Sequence, residues 1–172
     1  MCGAMIMTDI DISISDDLSA AIDRSVAAGL DMSAPLGLIA NFGRTATLDN
    51  FSGEHDPQGA PWIITFRKRA NPFKKILVES GDLIGSIIAL FDKDTAQWGS
   101  EASGLAAIIA NVHQFGAKIT AKTAKALNTP FGPRRSVTIP ARPFVGFNPN
   151  QQDHALNVIR NHFETAFQGG AA

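Results

Sequence analysis

The chain has 172 residues, of which 45% are hydrophobic and 18% charged, and its formal net charge is −1. This composition suffices for one domain with a hydrophobic core and excludes wholesale disorder. A nearly neutral chain has no overall electrostatic attraction to nucleic acid or anionic lipid. The single cysteine, Cys2, excludes an internal disulfide and suits a protein made in a reducing cytoplasm. No secretion signal is predicted, and the longest apolar tract, Leu105–Ala110, is too short to span a membrane.

The charges are segregated along the chain. Residues 1–33 carry six acids and one base, whereas residues 65–76 and 118–142 are basic and contain no acid. Opposite charges attract between copies as well as within one copy. The pattern therefore allows head-to-tail contacts between chains, or solvated loops whose charges pair inside one chain, and the sequence leaves both open. The six acids are Asp9, Asp11, Asp16, Asp17, Asp23 and Asp31.

A strand and two helices are predicted in the first third of the chain. Residues 10–14 alternate isoleucine with Asp or Ser, which is the period of a half-buried strand. Residues 15–28 predict a helix with acids in its first turn. Ser33 is predicted to cap a second helix, which tolerates Pro35 in its first turn and ends near Phe51. Its predicted apolar stripe consists of Leu38, Ile39, Phe42 and Ala46.

The middle of the chain predicts a small antiparallel sheet followed by a helix. Residues 52–61 are rich in turn formers and predict a loop. Ile84–Phe91 predicts a strand, residues 92–94 a tight connection, and Thr95–Trp98 the partner strand. Ala102–Val112 is apolar and rich in alanine, which most simply predicts a buried helix.

The last third begins with a long basic segment, residues 118–136, that has no strong helix or strand pattern. Loops of this length in a compact domain are usually functional or disordered. We therefore expect this one to be mobile in the free protein and ordered against a neighbouring subunit or partner. Val137–Ile139 predicts a short strand, and the final helix begins at Asn150 or Asp153. Its predicted apolar face consists of Leu156, Ile159, Phe163 and Phe167.

These elements predict one α+β domain over residues 1–172. It comprises two N-terminal helices, a small antiparallel sheet with a long loop, and a C-terminal helix, with the helices packed on one side of the sheet. The sequence shows no internal repeat and no second unit of domain size.

Cys2 is the first candidate for catalysis. Removal of Met1 would expose it as an N-terminal nucleophile, as in glutamine amidotransferases that begin with the same residues. Those enzymes need a much longer β-rich domain, whereas acidic sequence and two predicted helices follow Cys2 here. An N-terminal-cysteine amidohydrolase is therefore a remote alternative, and Met5 or Met7 is an alternative start.

The four histidines are scattered along the sequence, and no Cys/His pair has the spacing of a metal site. His113 is the best single candidate for a role, although a hydrogen-bonded core histidine is the commoner outcome at such a position. Ser80 lies in a predicted turn and not in the Gly-x-Ser-x-Gly elbow of hydrolases. We therefore predict no catalytic residue, no metal and no cofactor.

The basic segments make nucleic-acid binding the second functional hypothesis. Phe66, Phe73 and Phe131 lie within or beside these segments, and aromatic rings next to basic side chains can stack on bases. The net charge of −1 weakens this hypothesis. It is compatible with the structural role that the motifs below imply.

Three sequence motifs occur in a specific order. Gly59–Trp62 reads Gly-Ala-Pro-Trp, and Leu77–Ile87 reads Leu-Val-Glu-Ser-Gly-Asp-Leu-Ile-Gly-Ser-Ile. His113–Gly116 reads His-Gln-Phe-Gly, and Ile139–Phe147 contains Pro-Ala-Arg-Pro-Phe. In this combination the chain resembles the phage virion morphogenesis family, whose members include tail-completion proteins of Mu-like phages.

The resemblance covers about residues 18–167, nearly the whole chain. It departs from the family pattern in two places. The Tyr-Ala that often precedes the His-Gln pair is absent, and the basic run Arg67–Lys75 replaces a Thr- or Ser-rich segment. Both departures concern partner surfaces more than the fold.

The resemblance implies a structural, non-catalytic protein of a bacteriophage or prophage virion, made in the host cytoplasm and placed in the tail or neck. It implies a role in tail completion or head–tail joining, as a ring-forming homo-oligomer that contacts tail-tube or head–neck proteins. DNA contact is an option that this role does not require, and no membrane partner is implied.

Structural positions and contact residues are predicted from the motifs and the charges. We expect Arg142 to point outward, Phe144 to be buried, His113 to hydrogen-bond a backbone carbonyl, and Trp62 to close one end of the sheet. The predicted structural positions are Trp62, Gly81, His113, Phe115, Arg142, Pro143 and Phe144. The candidate partner contacts are Arg67, Lys68, Arg69, Lys118, Lys122, Arg134 and Arg135.

Overall fold

The structure is a computed structural model that describes residues 31–121, 126–129 and 132–169. For residues 167–169 it describes the backbone and not the side chains. The strand predicted at residues 10–14 and the helix predicted at residues 15–28 lie outside the described residues. The mixture of helices and antiparallel strands confirms the α+β class in a single domain. The described elements are α1 (Ser33–Gly53), α2 (Phe66–Ala70), α3 (Asp82–Gly85), β1 (Ile87–Phe91), β2 (Ala96–Ser100), α4 (Gly104–Phe115), β3 (Ala117–Thr120), β4 (Ser136–Ile139) and α5 (Pro149–Gly169).

Helix α1 confirms the predicted second helix, but its buried face differs from the predicted stripe. Leu38 is 63% exposed, whereas Leu36 is fully buried. The buried arc also contains Gly43, Thr47 and Asn50, none of which a search for large apolar residues selects. The helix contacts β1, β2 and α5 on this arc. Because these elements pack closely against it, the positions on the arc need small side chains or side chains whose polar groups are hydrogen-bonded.

Strands β1 and β2 form the predicted antiparallel hairpin, with Ile87 opposite Ser100 and Phe91 opposite Ala96. Asp92 closes the tight connection, because its Oδ1 accepts the N–H groups of Asp94 and Thr95. Residues 84–86, predicted as strand, instead belong to the short helix α3 and the turn that ends it. The strand therefore begins only at Ile87.

A second hairpin, β3 with β4, replaces part of the predicted long loop. Ala117 lies opposite Ile139 and Thr120 opposite Ser136, so residues 117–120 are a strand that the sequence analysis missed. Because β3 has only four residues and pairs only with β4, its alternation was too short to detect. The described sheets are therefore two separate two-stranded hairpins instead of one small sheet.

The core lies in two buried clusters, and the side chain of Trp98 in β2 packs against both of them. The first lies between α1 and α5, and the second surrounds the segment that follows β4. Helix α5 begins at Pro149, close to the predicted start, and buries Ile159 as expected. The side chain of Phe167 lies outside the described residues. The buried members of the two clusters are Met32, Leu36, Ile39, Ala46, Phe147, Ala155 and Ile159, and Phe51, Trp62, Ile76, Leu83, Ile87, Ala110, Phe144 and Val145.

No helix within the described ranges is long and apolar enough to cross a membrane.

Candidate functional site

The segment after β4 runs through the second cluster and is held there by side chains from α1, from α4 and from the connection before α2. Trp62 Nε1 donates a hydrogen bond to the carbonyl of Pro143 at 2.9 Å, and Asn50 Nδ2 donates to the carbonyl of Phe144 at 3.0 Å. The ring of Phe144 is fully buried, 5.2 Å from the ring of Phe51. The structure thus anchors Trp62 to the sequence motif Pro-Ala-Arg-Pro-Phe instead of to the end of a sheet.

Gln114 makes the densest set of contacts to this segment. Its Oε1 accepts the N–H groups of Phe144 at 3.0 Å and Val145 at 3.2 Å, and its Nε2 donates to the Val145 carbonyl at 3.0 Å. The buried amide therefore takes the place of a neighbouring strand. His113 and Phe115, the predicted structural positions, flank Gln114, which no sequence pattern singled out.

The C-terminal end of α4 crosses the segment at close range. Gly116 has φ +73, and a Cβ at this position would lie 2.9 Å from the backbone nitrogen of Ala141 and 3.1 Å from the carbonyl oxygen of Ile139. Only glycine combines this backbone conformation with this approach. One residue further along, the N–H of Arg142 donates to the carbonyl of His113 at 2.6 Å.

The prediction that Arg142 points outward is wrong. Arg142 is only 5% exposed, and its Nε donates to the carbonyl of Ile63 at 2.9 Å. Residues i and i+2 of an extended backbone share one face, so the burial of Phe144 places Arg142 on the inner side as well. Burial lowers the pKa of the Arg142 guanidinium from its usual value.

The prediction that His113 hydrogen-bonds a backbone carbonyl through its ring is also wrong. Its Nδ1 is buried and has no hydrogen-bond partner among the described residues, while its own backbone carbonyl accepts the N–H of Arg142. Burial, and secondarily the positive charge of Arg142, lower the pKa of His113 below 6.5. The imidazole is therefore neutral at physiological pH.

The predicted basic contacts fall into two groups. Arg67 forms an ion pair with Glu79, and Lys68 forms one with Glu54, so two of the basic side chains of α2 are paired within the chain. The remaining candidates that the structure describes are exposed and take part in no ion pair with another described residue: Arg69, Lys118, Arg134 and Arg135. Lys122 lies outside the described residues.

Helix α4 is not buried as predicted, because it exposes an apolar stripe. Leu105 is 72% and Ile108 60% exposed, while Ala110 and Gln114 are the buried residues of this helix. The stripe residues recur with the spacing of one helix face, opposite the buried pair. We call this surface the α4 stripe, and it consists of Leu105, Ile108, Ile109, Val112 and Phe115.

The candidate catalytic residues do not converge. Cys2 lies outside the described residues. His55 Nδ1 lies 2.8 Å from the Asp56 carbonyl, the His154 ring lies against Phe42, and His162 Nε2 lies 3.1 Å from a backbone carbonyl. Within the described ranges, no group of three or more His, Cys, Asp or Glu residues has a geometry that could hold a metal ion.

The motifs of the sequence thus meet at the second cluster, where Trp62, Gln114 and the backbone carbonyl of His113 hold the segment from Arg142 to Val145. Residues 15–164 match the model of the phage virion morphogenesis family, which covers most of the chain. No curated protein and no solved structure matches the chain. The chain therefore belongs to the phage virion morphogenesis family.

Proposed function

We propose that this protein is a structural, non-catalytic component that acts in tail completion or head–tail joining, of the kind found in Mu-like phages. It assembles as a homo-oligomer, in a ring, and contacts tail-tube or head–neck proteins in the tail or neck of the virion. The observation that carries the proposal is the α4 stripe, a row of large apolar side chains turned to solvent on a protein of a virion assembly family.

The α4 stripe supports assembly because soluble monomers rarely expose contiguous apolar surface. Four apolar residues of the stripe are exposed and Val112 is half-buried, and Ile119 on the adjacent strand β3 is exposed as well. Burying such side chains against a partner is favourable by roughly 25 cal/mol per Å² of apolar surface removed from water. A surface of this composition is therefore suited to a permanent contact in a particle.

Basic side chains near this surface add electrostatic selectivity. Lys118 lies in β3, three residues after the end of α4, and Arg134 and Arg135 precede the paired strand β4. Charges at the rim of an interface mainly steer encounter and exclude wrong partners. The surface is therefore suited to an acidic partner with an apolar centre.

The first experiment is electron microscopy of particles from an induced prophage that lacks only this gene. We expect DNA-filled heads separate from tails, or tails of abnormal length. Normal infectious virions would overturn the proposal.

Complementation with variants tests the surface that carries the proposal. Ile108→Lys places a charge in the centre of the α4 stripe, and we expect the same defective particles as in the deletion. The matched control is Leu38→Lys, an equally exposed leucine on α1. If both variants complement fully, the α4 stripe is not an assembly surface.

Nucleic-acid binding is the second candidate, favoured by exposed Arg69, Arg134 and Arg135, which make no ion pair within the described part of the chain. This function requires DNA affinity that falls steeply with salt. Neutralising Arg134 and Arg135 together should then weaken binding and flatten the salt dependence. Affinity that is unchanged by these substitutions would remove this candidate.

A further inference from the structure

Phe73 has the highest exposure of the large apolar side chains that the structure describes, 95%. A single exposed apolar residue is normal on a protein surface and needs no explanation by itself. Phe73 differs because its loop is held by hydrogen bonds at the tip and at the base. The ring therefore stands at a defined place on the surface.

The tip of this loop is a turn that Asn71 closes. Its Oδ1 accepts the N–H of Phe73 at 3.0 Å, and its carbonyl accepts the N–H of Lys74 at 3.0 Å. The N–H of Asn71 donates to the Arg67 carbonyl at 2.9 Å, which joins the turn to α2. Pro72 restricts the backbone between these contacts. The backbone that carries the ring is therefore fixed, and the freedom of Phe73 lies in its side-chain torsions.

The base of the loop is held on both sides by the C-terminal end of α1. Glu54 directly follows α1, and its Oε1 accepts the N–H of Ile76 at 2.7 Å, while its Oε2 forms the ion pair with Lys68. Lys75 Nζ donates to the Ser52 carbonyl at 2.8 Å. Because both sides of the loop are held by one helix end, the position of Phe73 is set by the fold.

The side chains that precede and follow the ring are positive. Residues 65–76 contain five bases and no acid. The two acids that form ion pairs with this segment, Glu54 and Glu79, each neutralise one of its bases. Arg69 and Lys74 are exposed and form no ion pair with another described residue. One lies four residues before the ring and the other directly after it, so the ring has a free cation on each side along the chain.

An aromatic ring between free cations suits single-stranded nucleic acid, whose bases stack on the ring while the phosphates contact the cations. Insertion into lipid would need further large apolar side chains at the tip. The other residues of the turn are Asn71, Pro72 and Lys74, so the tip carries one ring. The chemistry of the turn therefore favours nucleic acid over a membrane surface.

We propose that the turn 71–74 is a binding site for single-stranded nucleic acid, in which an unpaired base stacks on Phe73 and the phosphates on either side contact Arg69 and Lys74. This inference rests on the second candidate function, nucleic-acid binding, and adds to it a site on a different loop from Arg134 and Arg135. A strand bound at the turn needs no particular sequence, because every base has a face that can stack.

The test is a titration of the full-length protein into a fluorescent thymidine oligonucleotide of about 16 nucleotides, followed by anisotropy at several salt concentrations. We expect Phe73→Ala to weaken binding by roughly 5-fold to 100-fold, the loss typical of one stacked base. Phe73→Trp keeps a stacking ring and should keep the affinity. Because the Phe73 side chain is 95% exposed, its replacement should leave the thermal stability unchanged.

The cations are tested through the salt dependence. Replacing Arg69 and Lys74 together by glutamine should lower the slope of affinity against salt, on logarithmic scales, by about 1.4, since each phosphate contact on a single strand contributes about 0.7. The matched controls are Leu38→Ala, an exposed apolar residue on α1, and Arg160→Gln, an exposed base on α5. Both should leave the affinity and the slope unchanged.

The outcomes separate this site from the function on which it rests. No binding of the oligonucleotide by the natural chain would overturn both. Binding that weakens when Arg134 and Arg135 are neutralised but not in Phe73→Ala would overturn the site and leave the function standing. A duplex closed at both ends that competes as well as the single strand would overturn stacking on Phe73.

Lipid vesicles provide the remaining comparison. The same variants are sedimented with vesicles of equal parts phosphatidylcholine and phosphatidylglycerol. We expect no binding that depends on Phe73. Vesicle binding that Phe73→Ala abolishes, together with no affinity for the oligonucleotide, would overturn the proposal and identify the turn as a lipid contact.

Discussion

Replacing Gln114 by alanine should destabilise the protein more than its position at the end of a helix suggests. The substitution removes three hydrogen bonds to the backbone, two accepted by Oε1 and one donated by Nε2. The N–H groups of Phe144 and Val145 and the carbonyl of Val145 then lose their partner. All three groups belong to residues that are themselves buried.

The magnitude follows from the cost of unsatisfied buried polar groups. Each such group costs about 1–3 kcal/mol, and water entering the vacated space recovers part of it. We therefore expect a loss of about 3–5 kcal/mol in the free energy of unfolding. Because domains are stable by only about 5–15 kcal/mol, this is a large fraction of the total.

Urea denaturation measures the effect. With a slope of roughly 2 kcal/mol/M, the midpoint should fall by about 2 M. Gln97→Ala removes the same side chain from an exposed position on β2 and should change stability by less than about 0.5 kcal/mol. A loss below about 1 kcal/mol for Gln114→Ala would refute the assignment of this side chain as the anchor of the segment.

Two further predictions concern packing and pH. Gly43→Ala would place a Cβ 2.3 Å from the indole of Trp98, so we expect the free energy of unfolding, measured by urea denaturation, to fall by about 1–3 kcal/mol. The control is Gly85→Ala, which has open space around it and should be neutral or stabilising. Equal effects of the two substitutions would contradict the packing of α1 on β2. Because the pKa of His113 is lowered in the folded protein, the unfolded chain binds the proton first, and stability should fall as pH drops below about 6.5. His113→Gln should reduce that loss between about pH 7 and about pH 5.5, where most carboxylates stay ionised, and an unchanged pH dependence would contradict the neutral buried imidazole.

The long elements were predictable because local signals agree with the tertiary structure. Ser33 and Pro35 indicate the start of α1 to within one residue, although Met32 and not Ser33 occupies the cap position. The short Asp92 turn fixes the first hairpin. The β3 strand was not predictable from four residues, because its partner strand begins only at Ser136, beyond the segment 121–135.

The face of α4 shows a different limit of sequence reasoning. Periodicity identifies an apolar stripe but does not tell whether the stripe meets the protein's own core or a partner. Leu105 and Ile108 have the pattern of core residues and are exposed, while the polar Gln114 is buried. A polar residue opposite an apolar stripe gives no sign of burial, so the sequence did not indicate Gln114 as the anchor.

The candidate site was predicted in part. The sequence motifs singled out Trp62 and Phe144, and both are buried, since large aromatic residues beside prolines are strong indicators of anchoring. The burial of Phe144 was predicted, whereas the partner of Trp62 was not. Arg142 was placed outward because arginine is usually exposed. Its burial could have been predicted from Phe144, because residues two positions apart in an extended segment lie on the same face.

In vitro complementation tests the central claim, a structural role in completing or joining tails, most directly. Purified protein is added in increasing amounts to a lysate of the induced prophage that lacks the gene, and infectious particles are counted. We predict that infectivity is restored in proportion to the protein added and saturates at a fixed number of copies per particle. Full restoration by far less than one copy per particle would indicate turnover and contradict a structural role, and no restoration at any dose would contradict a role in completing or joining preformed heads and tails.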